Sequence, residues 1–185
     1  MKPAVFLDRD GTLLQEGNYV DRLERLLFFP YTVDAIRALN QAGFAVVVVT
    51  NQSGVARGMY PEAFVAEAHR HIEQLLNAGG AHVDAYYYCP HHPEGSVAAL
   101  RSDCECRKPK PGQLLQAASE LNLDLARSYM IGDRWKDIEA GRAAGARTIL
   151  VRTGYGREAE SAETMGDTVV VDNLIEAVTW ILRQS

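Results

Sequence analysis

The 185-residue chain contains no apolar run approaching the roughly 18–20 residues that a membrane-spanning helix needs, which excludes a helical membrane protein. It has no excess of positive charge: 24 Asp and Glu against 19 Lys and Arg leave a net charge of −5, so no overall attraction draws it to nucleic acid. Its three cysteines are too few, and odd in number, for a disulfide framework. The start Met1–Asp8 offers only a few apolar residues before an acid, not the apolar core of a secretion signal, and the cytoplasm is the expected compartment. What remains is a chain that is 47% apolar and 23% charged, a globular composition whose length suits one domain over residues 1–185. No feature calls for a macromolecular or membrane partner, so a small molecule bound by a monomer is expected.

Short β-branched or aromatic runs alternate with amphipathic stretches, the pattern of a parallel sheet covered by helices on both faces. Strands are expected at Ala4–Leu7, Ala45–Thr50, Ala85–Cys89, Ser128–Ile131, Arg147–Val151 and Thr168–Val171. Helices are expected near Tyr31–Ala42, Pro61–Asn77, Pro111–Leu121, Lys136–Ala144 and Asn173–Arg183. Two stretches, Gln15–Phe29 and Pro90–Arg107, fit neither pattern and read as loops over the carboxyl edge of the sheet, where open α/β folds bind ligands. Arg157–Asp167 reads as a surface connection, and His69, His71 and His82 as surface or helix-face residues.

The chemistry starts at Phe6-Leu7-Asp8-Arg9-Asp10-Gly11-Thr12-Leu13, where two carboxylates stand two positions apart as an apolar strand ends. Such a pair repels itself unless a proton or cation sits between its members, and a hard divalent ion such as Mg²⁺ is the natural partner. All three cysteines fall within residues 89–106, as Cys89-Pro90-His91-His92 and Cys104-Glu105-Cys106. Three thiols and one imidazole can close a tetrahedral Cys₃His zinc site with no open position, hence a structural one; His91 and His92 are equally available to it.

The Asp-x-Asp-Gly-Thr run resembles the first motif of the haloacid dehalogenase (HAD) superfamily, and three further segments follow in the order that superfamily requires. They are Val47-Val48-Val49-Thr50-Asn51-Gln52-Ser53-Gly54, then Lys108 in Cys106-Arg107-Lys108-Pro109, and Met130-Ile131-Gly132-Asp133-Arg134-Trp135-Lys136-Asp137. The resemblance implies a Rossmann-like three-layer α/β sandwich with a mostly parallel sheet, and an aspartyl-phosphate mechanism. Asp8 would be the nucleophile, Asp10 the general acid and base, and Thr50 and Lys108 contacts of the phosphoryl group. Mg²⁺ would be held by Asp8, Asp10 and Asp133, with Asp137 orienting Lys108 or a metal-bound water. No segment between the motifs is long enough for a large cap domain.

Tyr88-Cys89-Pro90-His91-His92-Pro93-Glu94-Gly95 and Cys104–Gly112 narrow the resemblance to the histidinol-phosphatase-like branch, and the Glu16–Val20 run with Thr50–Gly54 and Arg57 favours its heptose-bisphosphate phosphatases. That likeness selects Cys89, His91, Cys104 and Cys106 for Zn²⁺. It assigns Arg107 to a distal phosphate, and Glu16, Gly17, Asn18, Tyr19, Asn51, Gln52, Ser53 and Arg134 to the substrate pocket. The implied reaction is hydrolysis of the C7 phosphate of D-glycero-D-manno-heptose 1,7-bisphosphate, a step toward the nucleotide-activated heptose of the lipopolysaccharide core. Histidinol-phosphate hydrolysis uses the same motifs and is the alternative. A nucleic-acid 3′-phosphatase fits the acidic balance poorly, and a non-catalytic zinc-stabilised binding module would be expected to have lost a motif residue, which this chain has not.

Overall fold

The structure, a computed structural model, describes residues 1–162 and 166–184. Six strands form one sheet: β1 (Ala4–Leu7), β2 (Ala45–Asn51), β3 (Ala85–Cys89), β4 (Tyr129–Gly132), β5 (Arg147–Val151) and β6 (Val169–Val171). Their order is β3-β2-β1-β4-β5-β6, with every neighbouring pair parallel. The helices are α1 (Thr32–Gln41), α2 (Glu62–Ala78), α3 (Gly112–Leu121), α4 (Trp135–Ala144), α5 (Gly156–Ala162) and α6 (Leu174–Gln184).

Side chains alternate across a strand, so one tetrapeptide feeds two cores. Val5 and Leu7 of β1 join Val46, Val48, Ile131 and Ile149 against Ile36 of α1, Ile72 of α2 and Ile181 of α6. Ala4 and Phe6 join Val47, Val49 and Met130 against Leu114 of α3 and Ala140 of α4. This is the three-layer sandwich expected from continuous apolar strands buried on both faces. Each Val or Ile so buried contributes about 1.5–3 kcal/mol. Pro61 and Pro111 stand immediately before α2 and α3, and α4 closes on Gly145, whose φ of +82° suits the left-handed helix terminus.

Most element boundaries agree with the sequence pattern to within a residue or two. One helix does not: α5 lies partly in the stretch read as a surface connection, residues 163–165 of which fall outside the described residues. Its sequence Gly-Arg-Glu-Ala-Glu-Ser-Ala has helix-forming residues but no apolar stripe, so the periodicity that reveals a helix is missing. Of the two expectations for His69, surface or helix face, the helix face holds. The residue is 8% exposed, on the inner face of α2, with its ring stacked 4.6 Å from that of Tyr86; burial pushes its pKa down to about 3, so it is neutral.

The order of strands reverses direction at β1, with β2 on one side and β4 on the other. In open α/β sheets the crevice at such a point, beyond the carboxyl ends of the strands, is where ligands bind. The chain delivers Asp8 there from the end of β1, Thr50 from β2 and Asp133 from β4.

Candidate active site and metal cluster

Asp8, Asp133 and Asp137 converge, their carboxylate oxygens lying within 4.8 Å of one another. All three are buried, and among the described residues Lys108 forms the ion pairs of this group: its Nζ lies 2.8 Å from Asp8 Oδ1 and 2.8 Å from Asp137 Oδ1. Lys108 Nζ donates hydrogen bonds to Asp8 Oδ1 at 2.8 Å and to the Val49 carbonyl at 2.7 Å, and the Asp137 contact is an ion pair. Burial alone would lower the pKa of Lys108, but Asp137 and Asp8 outweigh it and raise it. Burial likewise opposes the charge on Asp8, yet Lys108 and Lys136 hold that carboxyl below its usual range. Asp8 is therefore ionised and held in place, as a nucleophile must be.

Asp133 has no such partner. Its Oδ2 accepts the Tyr155 N–H at 2.8 Å, while Oδ1 is buried with no hydrogen bond. Burial, and then the charges of Asp8 and Asp137, push its pKa up to about 8. A buried carboxylate oxygen with no protein partner, beside a second carboxylate, is a donor set that fits Mg²⁺. Gly11 permits the close packing: its φ is +85°, and a Cβ there would lie 2.2 Å from Asp133 Oδ2.

The carboxylate of Asp10 is not part of this cluster. It turns toward Arg9, with Nε at 3.1 and 3.3 Å, and toward Gln52 Nε2 at 3.0 Å. The expected metal set of Asp8, Asp10 and Asp133 thus contains two side chains that face one another and one that faces the adjoining cavity. The physical reason is Arg9, a buried guanidinium that pairs with its own neighbour at 3.0 Å.

That cavity, of about 370 Å³, is lined by nearly all of the residues the motifs assign to substrate: Glu16, Asn18, Tyr19, Asn51, Gln52, Ser53, Arg107 and Arg134. Gly17 is not among them; its carbonyl accepts from Arg25 Nη2 at 2.6 Å, so it shapes the loop instead. Asn18 and Tyr19 have φ of +46° and +52°, a strained conformation for residues with side chains that is often found at binding sites. The Arg134 guanidinium stacks 3.6 Å above the Tyr155 ring and lies 3.6 Å from Glu16. Asn51 uses its carboxamide to pin the backbone of Lys108, through bonds of 2.9 and 3.1 Å. Arg9, Tyr60, Lys136 and Tyr155 also line the cavity without a role assigned from sequence, as does His92, which the sequence offers only as an alternative zinc ligand. Two of them, Arg9 between the acids and Lys136 beside Asp137, are legible as cations inside motifs. Tyr60, His92 and Tyr155 arrive from separate loops.

Next to the cavity, Cys89 Sγ lies 3.3 Å from Cys104 Sγ, and Cys104 Sγ 2.9 Å from Cys106 Sγ. His91 Nδ1 completes the group at 3.8 and 3.6 Å from the Cys89 and Cys106 sulfurs, and no disulfide forms. His92 faces away, its Nε2 3.0 Å from Arg57 and its Nδ1 accepting the Glu94 N–H at 3.1 Å. Three sulfurs and a nitrogen converging in this way form a donor set suited to a metal ion.

A model of HAD-hydrolase-like proteins matches residues 105–177, which hold Lys108, Asp133 and Asp137. A Yersinia pestis protein named D-glycero-beta-D-manno-heptose-1,7-bisphosphate 7-phosphatase is 48% identical over 91% of this chain and 89% of its own length. A Salmonella typhi protein of the same name is 45% identical over 98% and 96%. The chain belongs to the heptose-bisphosphate phosphatase family of HAD-like hydrolases. Among solved structures, the D,D-heptose 1.7-bisphosphate phosphatase from B. bronchiseptica, complexed with magnesium and phosphate, matches with a TM-score of 0.90 at 34% identity over 100% of both chains. Membership fits the order of features just described: a nucleophile-like acid on β1, a hydroxyl on β2, a buried lysine, and an acid after β4.

Proposed function

We propose that this chain hydrolyses the C7 phosphate of D-glycero-D-manno-heptose 1,7-bisphosphate through a phosphorylated Asp8, as one phosphatase unit working as a cytoplasmic monomer. The product, heptose 1-phosphate, would feed the nucleotide-activated heptose of the lipopolysaccharide core. The observation that carries the chemistry is the buried Asp8–Lys108 pair, 2.8 Å apart, beside the unpartnered Oδ1 of Asp133. The substrate assignment is supported by relatives that are 43–48% identical, all named for this reaction.

Asp8 Oδ1 is committed to Lys108, which leaves Oδ2 to attack phosphorus in line as the bond to the C7 oxygen breaks. Asp10 gives its proton to the departing alkoxide. It then takes one from a water molecule, which attacks phosphorus and releases inorganic phosphate and the Asp8 carboxylate. Lys108 neutralises Asp8 and Asp137 before reaction; once Asp8 is esterified, an ammonium hydrogen is released to the phosphoryl oxygens. Thr50 donates its hydroxyl to the same oxygens. A magnesium ion held by Asp8 and Asp133 would supply Lewis-acid neutralisation of the phosphoryl charge. Zinc held by Cys89, His91, Cys104 and Cys106 would order the loop that carries Arg107, the residue we assign to the distal phosphate through its planar fork of donors.

The test is magnesium-dependent phosphate release from both anomers of heptose 1,7-bisphosphate, beside histidinol phosphate. A preference for the heptose of about a hundredfold in kcat/KM, about 2.7 kcal/mol, is expected, with the beta anomer favoured as in the relatives' names. Preference for histidinol phosphate would overturn the substrate assignment.

A further inference from the structure

Motif resemblance places Gln52 on the substrate, but its amide has no hydrogen-bonding capacity left for one. A carboxamide has two acceptor lone pairs and two N–H donors. Oε1 accepts from Arg9 Nη2 at 2.9 Å and from the Tyr60 hydroxyl at 2.9 Å. Nε2 donates to Asp10 Oδ2 at 3.0 Å and to Thr50 Oγ1 at 2.8 Å. The residue is 3% exposed, so water does not compete for these bonds. Its orientation is also determined. A flipped amide would set N–H against the guanidinium of Arg9, which cannot accept, and oxygen against the carboxylate of Asp10. Burial pushes the Tyr60 phenol up to about 12, which keeps it a donor.

We infer that Gln52 is a positioning residue for the proton-transferring Asp10, joined in one clamp with Arg9 and Tyr60, rather than a substrate contact. The clamp grips one oxygen: Asp10 Oδ2 accepts from Arg9 Nε at 3.1 Å and from Gln52 Nε2 at 3.0 Å, and pairs with the charge of Arg9 Nη2 at 3.0 Å. Asp10 Oδ1 has only a long contact of 3.3 Å with Arg9 Nε. Oδ1 is therefore the oxygen that the clamp leaves free to reach the C7 alkoxide and the hydrolytic water. The second Nε2 hydrogen occupies a lone pair of Thr50, leaving that hydroxyl hydrogen free to donate into the cavity. Thr50 only accepts from this amide, so its hydroxyl hydrogen stays available when the amide is removed, and Tyr60 anchors the amide from behind.

This inference rests on the phosphatase reading and has its own test, because protonation matters only for poor leaving groups. Gln52→Leu is compared with wild type by kcat/KM, which reports the steps through leaving-group departure, on heptose 1,7-bisphosphate, ethyl phosphate and p-nitrophenyl phosphate. The clamp predicts a loss of about 10–100-fold on both alkyl esters, part of the roughly 10²–10⁴ that proton transfer contributes, and a change within about threefold on p-nitrophenyl phosphate, whose leaving group needs no proton. A loss confined to the heptose would make Gln52 a substrate contact, and an equal loss on all three esters would make it a general structural support; either overturns the inference. Tyr60→Phe, which removes one hydroxyl, should repeat the alkyl-selective pattern at about 3–10-fold, on the same share of the proton-transfer effect, and keeps the test decisive should the Leu variant fold poorly. Wild-type turnover of the heptose tests the phosphatase reading, and the leaving-group pattern of the variants tests this one, so the two fail separately.

Discussion

Replacing Asp133 with Asn should stabilise the magnesium-free protein while abolishing its activity. Asp133 is 0% exposed, and its pKa is pushed from 3.8 to about 8 by burial and by Asp8 and Asp137. Between those values the folded state holds the proton more tightly than the unfolded chain. Stability therefore falls as pH rises through that window and is lowest above pH 8. At about 1.36 kcal/mol per pH unit, the rise sets a ceiling near 5–6 kcal/mol at pH 8 and about 1–2 kcal/mol at pH 5. Relaxation of the neighbouring side chains leaves about 2–4 kcal/mol of the former. Asn carries no charge and can keep the bond to the Tyr155 N–H. The assay is thermal unfolding after dialysis free of magnesium but without chelator, so that a metal in the cysteine cluster stays bound. The variant should melt about 5–15 °C above wild type at pH 8, with a much smaller gap at pH 5, and millimolar magnesium should raise only the wild type. A variant no more stable than wild type at pH 8, or a gain equal at both pH values, would refute the reasoning that the charge of Asp133 is crowded by burial and by Asp8 and Asp137.

Three further outcomes follow from the same geometry. If the cysteine cluster holds zinc as proposed, His91→Asn should lose the bound metal and open residues 92–103 to protease, whereas His92→Asn should keep it; equal loss in both, measured by metal analysis, would contradict the separation of the two rings. Arg107→Ala should lower kcat/KM for the bisphosphate by about 10–100-fold, while a heptose carrying only the C7 phosphate changes little; an unchanged ratio removes Arg107 from the distal phosphate. Gly11→Ala should destabilise by about 2–4 kcal/mol, combining left-handed strain with a Cβ 2.2 Å from Asp133 Oδ2, and should weaken magnesium stabilisation in the same melt; a neutral effect would mean that Asp133 can move aside at no cost.

The parts of this site that are legible in the sequence are those written next to one another. Asp8, Thr50 and Asp133 each follow an apolar strand, so local pattern places them at one sheet edge, and their order matches the superfamily's motifs. The commitments of the side chains are a different kind of information. Gln52 is spoken for by Arg9, Asp10, Thr50 and Tyr60, and the decisive partner, Arg9, is 43 positions away. Asn51 likewise spends its amide on Lys108, 57 positions on. Proximity within a motif cannot distinguish a residue that touches substrate from one that holds a residue that does. The choice between His91 and His92 is similar: adjacent imidazoles of equal chemistry, separated only by which way the loop turns them. Helix α5 is illegible because a short charged helix has no apolar stripe, and the sequence leaves His69 on either a surface or a helix face because a lone imidazole looks the same whether it packs on Tyr86 or faces water.

The most direct measurement is to find the phosphorylated residue itself. Enzyme quenched in acid during turnover of heptose 1,7-bisphosphate and reduced with borohydride converts an aspartyl phosphate to homoserine, which peptide mass spectrometry locates. The account predicts homoserine at position 8 and at no other acid. Its appearance at Asp10 or Asp133, or phosphate release with every aspartate intact, would contradict a nucleophilic Asp8.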